Sequence, residues 1–345
     1  MTESVLFLQL ASTGMTDREI MEQHEYEFNR IHNLGGDITV KTISEYDTAG
    51  FIDSCKGHAI VLCGGNPPMS REVISQLTDS QVFIRYGIGI NTIDLAACTD
   101  YGKLIYYMPG YCGPELALHA LALILGLLRN IGYYDREMRK GHFAKSNGPL
   151  PRRLQNLTVG LYGLGGSGQE LAKLMIEGFH SHTIACDPYV TRETANEIGV
   201  ELVSFDELLA RSDIISLHAP LTPETNHIFN MAAFQKMKRN AMIINTSRGP
   251  LIDICDLVKA LKTQEIGFAG LDVFEKEPVA ADHPLLELDN VLLSPHSAFY
   301  GQESTHTQYA LAAQFVELLS QKKIDKKYVA NYPVLSVWQK RGFEI

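Results

Sequence analysis

One ten-residue stretch constrains this chain more than any other: Val159-Gly160-Leu161-Tyr162-Gly163-Leu164-Gly165-Gly166-Ser167-Gly168. A short aliphatic run at 159–162 predicts a strand entering it, and 168–177 predicts a helix leaving it. A second strand, 183–186, runs into Asp187, which is 187 − 168 = 19 positions beyond the last glycine. Strand, glycine turn, helix and acid at that spacing form the dinucleotide fingerprint, and a bare glycine turn explains only part of it. Gly163 allows the tight turn, Gly165 lets the backbone approach a pyrophosphate, and Gly168 permits close packing of the helix. The amides of Gly166 and Ser167 are placed to donate to phosphate oxygens at the helix N-terminus. A carboxylate at 187 accepts from ribose hydroxyls and repels a 2′-phosphate, so NAD is expected over NADP despite Arg192 nearby in sequence.

The rest of the chain supports an α/β fold. Strands are predicted at 5–10, 38–42, 59–63, 82–86, 214–217, 242–245, 268–273 and 291–293, with helical patterns between the later ones. A length of 345 residues calls for two cores. The turn-rich segment Pro109-Gly110-Tyr111-Cys112-Gly113-Pro114 marks a crossing between them. After it, 115–130 is helical and apolar nearly all round, which requires burial between domains or against a second subunit. His119 on that helix is expected to be a hydrogen-bonded structural residue. The pattern at 304–319 is helical again and is expected to return to the first domain.

Composition excludes several function classes. The hydrophobic fraction is 45% and the charged fraction 20%, as in ordinary globular proteins. The longest apolar run, 116–128, is short for a bilayer and interrupted by His119 and Gly126, so no membrane association is expected. A formal net charge of −10 argues against a nucleic-acid surface. The six cysteines show no C-x-x-C pair or metal spacing, which points to reduced thiols in a cytoplasmic protein and to no metal.

Three further segments carry polar residues at or beyond strand ends, where open α/β sheets bind ligands. They are Asn245-Thr246-Ser247-Arg248-Gly249, Asp272-Val273-Phe274-Glu275-Lys276-Glu277-Pro278 and Ser294-Pro295-His296-Ser297-Ala298. Each alone has a dull explanation, as a surface ion pair, a loop charge or a turn residue. Their placement after successive strands of one domain favours a common site. Arginine can hold a carboxylate through two parallel bonds, and histidine moves protons near neutrality. A neighbouring carboxylate favours imidazolium, keeping a proton available for a reduction.

With Arg85-Tyr86-Gly87-Ile88-Gly89-Ile90-Asn91-Thr92-Ile93-Asp94, Leu118-His119-Ala120-Leu121-Ala122-Leu123 and Leu217-His218-Ala219-Pro220-Leu221-Thr222-Pro223-Glu224-Thr225, the chain resembles the D-isomer-specific 2-hydroxyacid dehydrogenase family over nearly its whole length. The resemblance implies an NAD-dependent oxidoreductase with two Rossmann-like domains. A discontinuous, flavodoxin-like substrate domain spans 1–108 plus 305–345, and a doubly wound NAD-binding domain spans 109–304. It implies that Arg248 holds the substrate carboxylate and carbonyl, His296 is the general acid/base, and Glu277 is its carboxylate partner. Asp272 resembles the residue that hydrogen-bonds the nicotinamide carboxamide. Ile88, His218, Ala219, Pro220, Thr225, Thr246 and Ala298, together with Arg248 and His296, would line the cofactor. A homodimer is the family expectation.

The substrate loop is expected at 62–67, where backbone amides of Gly64 and Gly65 could bind a carboxylate. This loop lacks the basic residue that family members acting on phosphorylated acids bring to it, which disfavours a phosphoglycerate-type substrate. Glu277 speaks against formate dehydrogenases, which pair the histidine with glutamine. Phe299 and Tyr300 resemble the D-lactate-like branch and suggest a small or apolar 2-keto acid. Two departures stand out: Gly166-Ser167 replaces a basic and an aliphatic residue, and Asn91-Thr92 replaces an acidic–Asn pair. Two other readings remain: an NADH-sensing, corepressor-like binding protein, and an NADPH-linked glyoxylate or hydroxypyruvate reductase.

Overall fold

Apolar runs that enter a parallel sheet are buried on both faces, and this chain builds two such sheets. The computed structural model describes residues 4–11, 14–44, 47–65, 67–143 and 150–345. The chain divides into two compact units, Met1–Tyr111 with Gln302–Ile345, and Cys112–Gly301.

The first unit holds five strands: β1 (Ser4–Leu10), β2 (Asp37–Ile43), β3 (Ile60–Cys63), β4 (Val82–Arg85) and β5 (Leu104–Tyr106). They pair in parallel in the order β2-β1-β3-β4-β5, the flavodoxin-like arrangement. Alternation along the strands divides the core. Val5, Phe7, Ile60 and Leu62 face one cluster, where the helix Gln302–Ser320 adds Ala312, Phe315, Val316 and Leu319. Leu6, Leu8, Val61 and Cys63 face the other, against Phe51, Val73 and Ile74.

The second unit holds seven strands: β6 (Thr158–Tyr162), β7 (His182–Cys186), β8 (Glu201–Leu202), β9 (Ile214–Leu217), β10 (Met242–Asn245), β11 (Phe268–Leu271) and β12 (Val291–Leu293). Their order is β12-β11-β10-β9-β6-β7-β8, again all parallel. This is the doubly wound arrangement with one strand added at an edge, and its order reverses between β6 and β9. Ligands bind such sheets at the carboxyl ends beside that reversal. The helix Gly113–Leu128 buries Ala117, Ala120 and Ile124 against Val159, Leu161 and Ile244 of the sheet. Among the described residues no single helix is long and apolar enough to cross a membrane.

The α/β class and the two parallel sheets agree with the expectation from sequence. Strands β5 and β8, three and two residues long, were not anticipated, because so few residues carry no measurable period. The expected helix at 168–177 begins earlier, at Gly166, and passes at Leu174 into a π-helical turn. Strand β11 ends at Leu271, so Asp272 already belongs to the loop beyond it.

Candidate active site

The glycine loop leaves β6 at the sheet's point of reversal. Gly163 has φ +96°, and a Cβ there would lie 2.7 Å from Ala219 N and 2.8 Å from the His218 carbonyl carbon, so only glycine fits. This close approach joins the loop to the turn that follows β9, where His218 N donates to Tyr162 O at 2.8 Å. Gly165 caps the helix Gly166–Lys173, which Gly166, Ser167 and Gly168 open. Asp187, just past β7, accepts from Leu164 N and from Tyr189 N, both at 2.8 Å, one bond on each carboxylate oxygen. Its orientation is thereby fixed while each oxygen retains acceptor capacity.

His218 lies between two hydroxyls, with Nδ1 3.1 Å from Ser167 Oγ and Nε2 2.9 Å from Ser216 Oγ. Burial pushes its pKa down to about 4, so the ring is neutral at physiological pH. Further along this turn, Thr225 Oγ1 donates to Pro220 O at 2.8 Å and closes it. At the end of β10, Thr246 Oγ1 is buried with no hydrogen-bond partner among the described residues. An orphaned hydroxyl, an oriented acid and open space beside Gly165 and Gly166 fit a bound dinucleotide.

Arg248, Glu277 and His296 stand on the loops after β10, β11 and β12. Asn245 braces the first loop from inside, accepting from Ser247 N at 3.0 Å and donating to Arg248 O at 2.9 Å. The guanidinium of Arg248 is half-buried and donates to Ser247 O at 2.6 Å. A Cβ on Gly249 would lie 1.9 Å from the Phe274 carbonyl carbon, so its absence lets the arginine loop lie on the loop carrying Glu277.

Glu277 accepts from Phe274 N at 2.9 Å through Oε1, and its Oε2 lies 2.6 Å from His296 Nδ1. His296 has φ +53°, a left-handed conformation that costs a non-glycine residue on the order of 1 kcal/mol or more. Its backbone N donates to Asp272 O at 2.7 Å. The carboxylate of Asp272 is fully buried and accepts from Ser294 Oγ at 2.6 Å and from Ser297 N and Ala298 N at 2.9 Å. His119 is hydrogen-bonded as expected, with Nε2 2.8 Å from Ser294 Oγ.

The substrate-loop expectation needs one correction. Gly64 N donates to Leu8 O at 2.8 Å, continuing the β1–β3 pairing, so that amide is spent on the sheet and does not serve a carboxylate. Gly65 follows it, and Asn66 lies outside the described residues. Ile88, in the loop after β4, is 37% exposed, and Tyr300, next to Phe299, is 71% exposed. Two participants were given no role from the sequence: Ser216, and Ser294 within the quoted His296 segment. A serine inside the apolar strand β9, and another at the mouth of β12, were the available signals.

Residues 121–298 match the family model described as D-isomer specific 2-hydroxyacid dehydrogenase, NAD binding domain. The chain belongs to that family. Within it, the 121–298 segment is the NAD-binding domain, and NAD is its cofactor. Among similar curated proteins, a D-3-phosphoglycerate dehydrogenase of Archaeoglobus fulgidus is 38% identical, over 68% of this chain and 44% of that one. A glyoxylate reductase of Korarchaeum cryptofilum is 35% identical, over 72% of this chain and 75% of that one. The chain spans about half the length of the phosphoglycerate dehydrogenases it matches, 44% and 55% for the first two. In structure, the family member resembles a D-lactate dehydrogenase of Aquifex aeolicus complexed with NAD and lactic acid. That likeness has a TM-score of 0.80 at 25% identity, covering 96% of this chain and 98% of that one.

Proposed function

We propose that the chain is an NAD-linked dehydrogenase that interconverts a small or apolar 2-keto acid and the D-2-hydroxy acid. The observation that carries this reading is the 2.6 Å contact between His296 Nδ1 and Glu277 Oε2, on loops adjoining the one that bears Arg248. NADH, when bound, supplies the hydride for the keto carbon. Gly165, Gly166 and Ser167 would hold its pyrophosphate, and Asp187 its adenosine ribose. Thr246, with its buried hydroxyl, and the 218–220 turn would line the remainder. A carboxamide contact is proposed for Oδ2 of Asp272, which accepts one bond where Oδ1 accepts two.

Arg248 binds the substrate carboxylate and orients the carbonyl beside it. Nδ1 of His296 is taken by Glu277, so the proton given to the carbonyl oxygen leaves from Nε2. Glu277 holds the ring's orientation through that contact. The absence of a basic side chain at 62–67 supports an unphosphorylated acid. A homodimer remains part of this reading, supported by Leu118 and Ile131, which are 62% and 60% exposed. A monomeric mass at micromolar concentration in analytical ultracentrifugation would remove that element.

A panel of 2-keto acids assayed with NADH and with NADPH tests the reading, with Arg248→Ala as control. Turnover of pyruvate-like or branched acids with NADH, lost in the variant, supports it. Tight NADH binding without turnover of any acid would instead support a sensor. A preference for NADPH with glyoxylate or hydroxypyruvate would overturn the role given to Asp187.

A further inference from the structure

The side chain and the backbone carbonyl of Asp272 both bond the loop that carries His296. Its side chain takes Ser294 Oγ before the histidine and Ser297 N and Ala298 N after it, and its carbonyl takes His296 N. His296 is thus held between two anchors in a backbone conformation that a free loop would leave. The outer end of this network is His119, on the helix Gly113–Leu128, with Nε2 2.8 Å from Ser294 Oγ and 3.5 Å from Asp272 Oδ1. The Ser294 hydroxyl hydrogen is committed to Asp272, so His119 Nε2–H must be the donor to Ser294 Oγ. Donor, hydroxyl and buried carboxylate then polarise one another in a chain.

We propose that His119 is a positioning residue: through Ser294 and Asp272 it holds the His296 loop in the conformation that aligns His296 with Glu277. The inference rests on the reading that His296 moves the proton. It assigns His119 no contact with substrate or cofactor. What His119 supplies is one N–H at one point, and glutamine can supply the same where leucine cannot.

The test uses the full chain with His119→Gln, His119→Leu, Ser294→Ala and the double variant His119→Leu/Ser294→Ala. His119→Leu should lower kcat by about tenfold with the NADH dissociation constant unchanged, since small misplacement of a catalytic group costs rate rather than binding. His119→Gln should recover most of that loss. The double variant should be no slower than Ser294→Ala, because the two residues act in one chain. A second readout needs no turnover. In the ligand-free protein, the low-field proton resonance of the His296–Glu277 hydrogen bond should shift in His119→Leu and Ser294→Ala and stay in place in His119→Gln.

An unmoved resonance in His119→Leu overturns the proposal, as does a glutamine variant no better than leucine or a loss confined to NADH binding. If His119→Leu does not fold, Ser294→Ala against Ser294→Thr reads the same link, with threonine expected to preserve the resonance and alanine to shift it. If the wild-type chain reduces no keto acid, the functional reading fails, while the resonance still decides whether His119 positions His296.

Discussion

His218 and His296 occupy equivalent places, each just beyond the carboxyl end of a strand in the same sheet, and their surroundings give them opposite chemistry. His218 follows β9, and its ring bonds the hydroxyls of Ser167 and Ser216. Burial keeps its pKa at about 4, so it is a neutral wall of the nucleotide loop. His296 follows β12 and meets a carboxylate 2.6 Å away, on a half-exposed loop where a proton can come and go. The residue type and the strand-end position are shared; only the partner and the solvent differ. A histidine beyond a strand is therefore identified as a proton carrier by its neighbours.

The largest effect should come from the histidine with the carboxylate. His296→Ala is expected to lower reductive kcat by about 10³-fold, within the range for a lost general acid, with NADH binding retained. His218→Gln should not approach that loss. Comparable losses in the two variants, measured by stopped-flow reduction alongside NADH fluorescence titration, would erase the distinction.

Next in size is Glu277→Gln, expected to cost about 10²-fold in kcat/KM for reduction. Glutamine keeps a hydrogen-bond partner for Nδ1 and removes the negative charge beside the ring. A kcat/KM within about twofold of the wild type would mean that Glu277 acts by orienting the ring alone.

For His218 the expected effect is on stability. Its folded pKa of about 4 lies below the ordinary 6.5, so between these values the unfolded chain binds a proton that the folded chain does not. Stability is then complete above pH 6.5 and falls as pH drops toward 4, by about 2 kcal/mol between pH 8 and pH 5. Urea unfolding of the ligand-free His218→Gln variant should show a pH 8-to-5 difference smaller by that amount. An undiminished difference would place the acid sensitivity elsewhere.

How much of this was legible in the sequence follows the same division. The nucleotide loop was readable because its features are local: glycines at fixed spacing, a helix start, an acid one strand later. Arg248, Glu277 and His296 were readable as polar residues beyond strands, but no linear pattern encodes that Gly249 lets the arginine loop touch the loop of Glu277, or that Glu277 meets His296 at 2.6 Å. Gly64 misled because an amide in a predicted loop looks available, while in the structure it extends the β1–β3 ladder. Ser216 and Ser294 escaped because a single hydroxyl in or beside a short apolar strand is usually only tolerated. What neither showed was that each would terminate on a histidine.

The smallest expected effect decides what keeps His218 neutral. Ser167→Ala removes the oxygen beside Nδ1 and should cost about 1 kcal/mol of stability, the ordinary value of one part-buried hydrogen bond. It should leave kcat and its pH profile unchanged, since nothing in this half of the site carries a proton. Desolvation is the cause that lowers the ring's pKa, and the alanine methyl desolvates as well as the hydroxyl did. The pH 8-to-5 stability difference in Ser167→Ala should therefore match that of the wild-type chain while both curves shift together. A flattened difference would show that the paired hydroxyls, rather than burial, separate this histidine from His296. The contrast would then rest on hydrogen-bond direction and be open to reversal by a single carboxylate at 167.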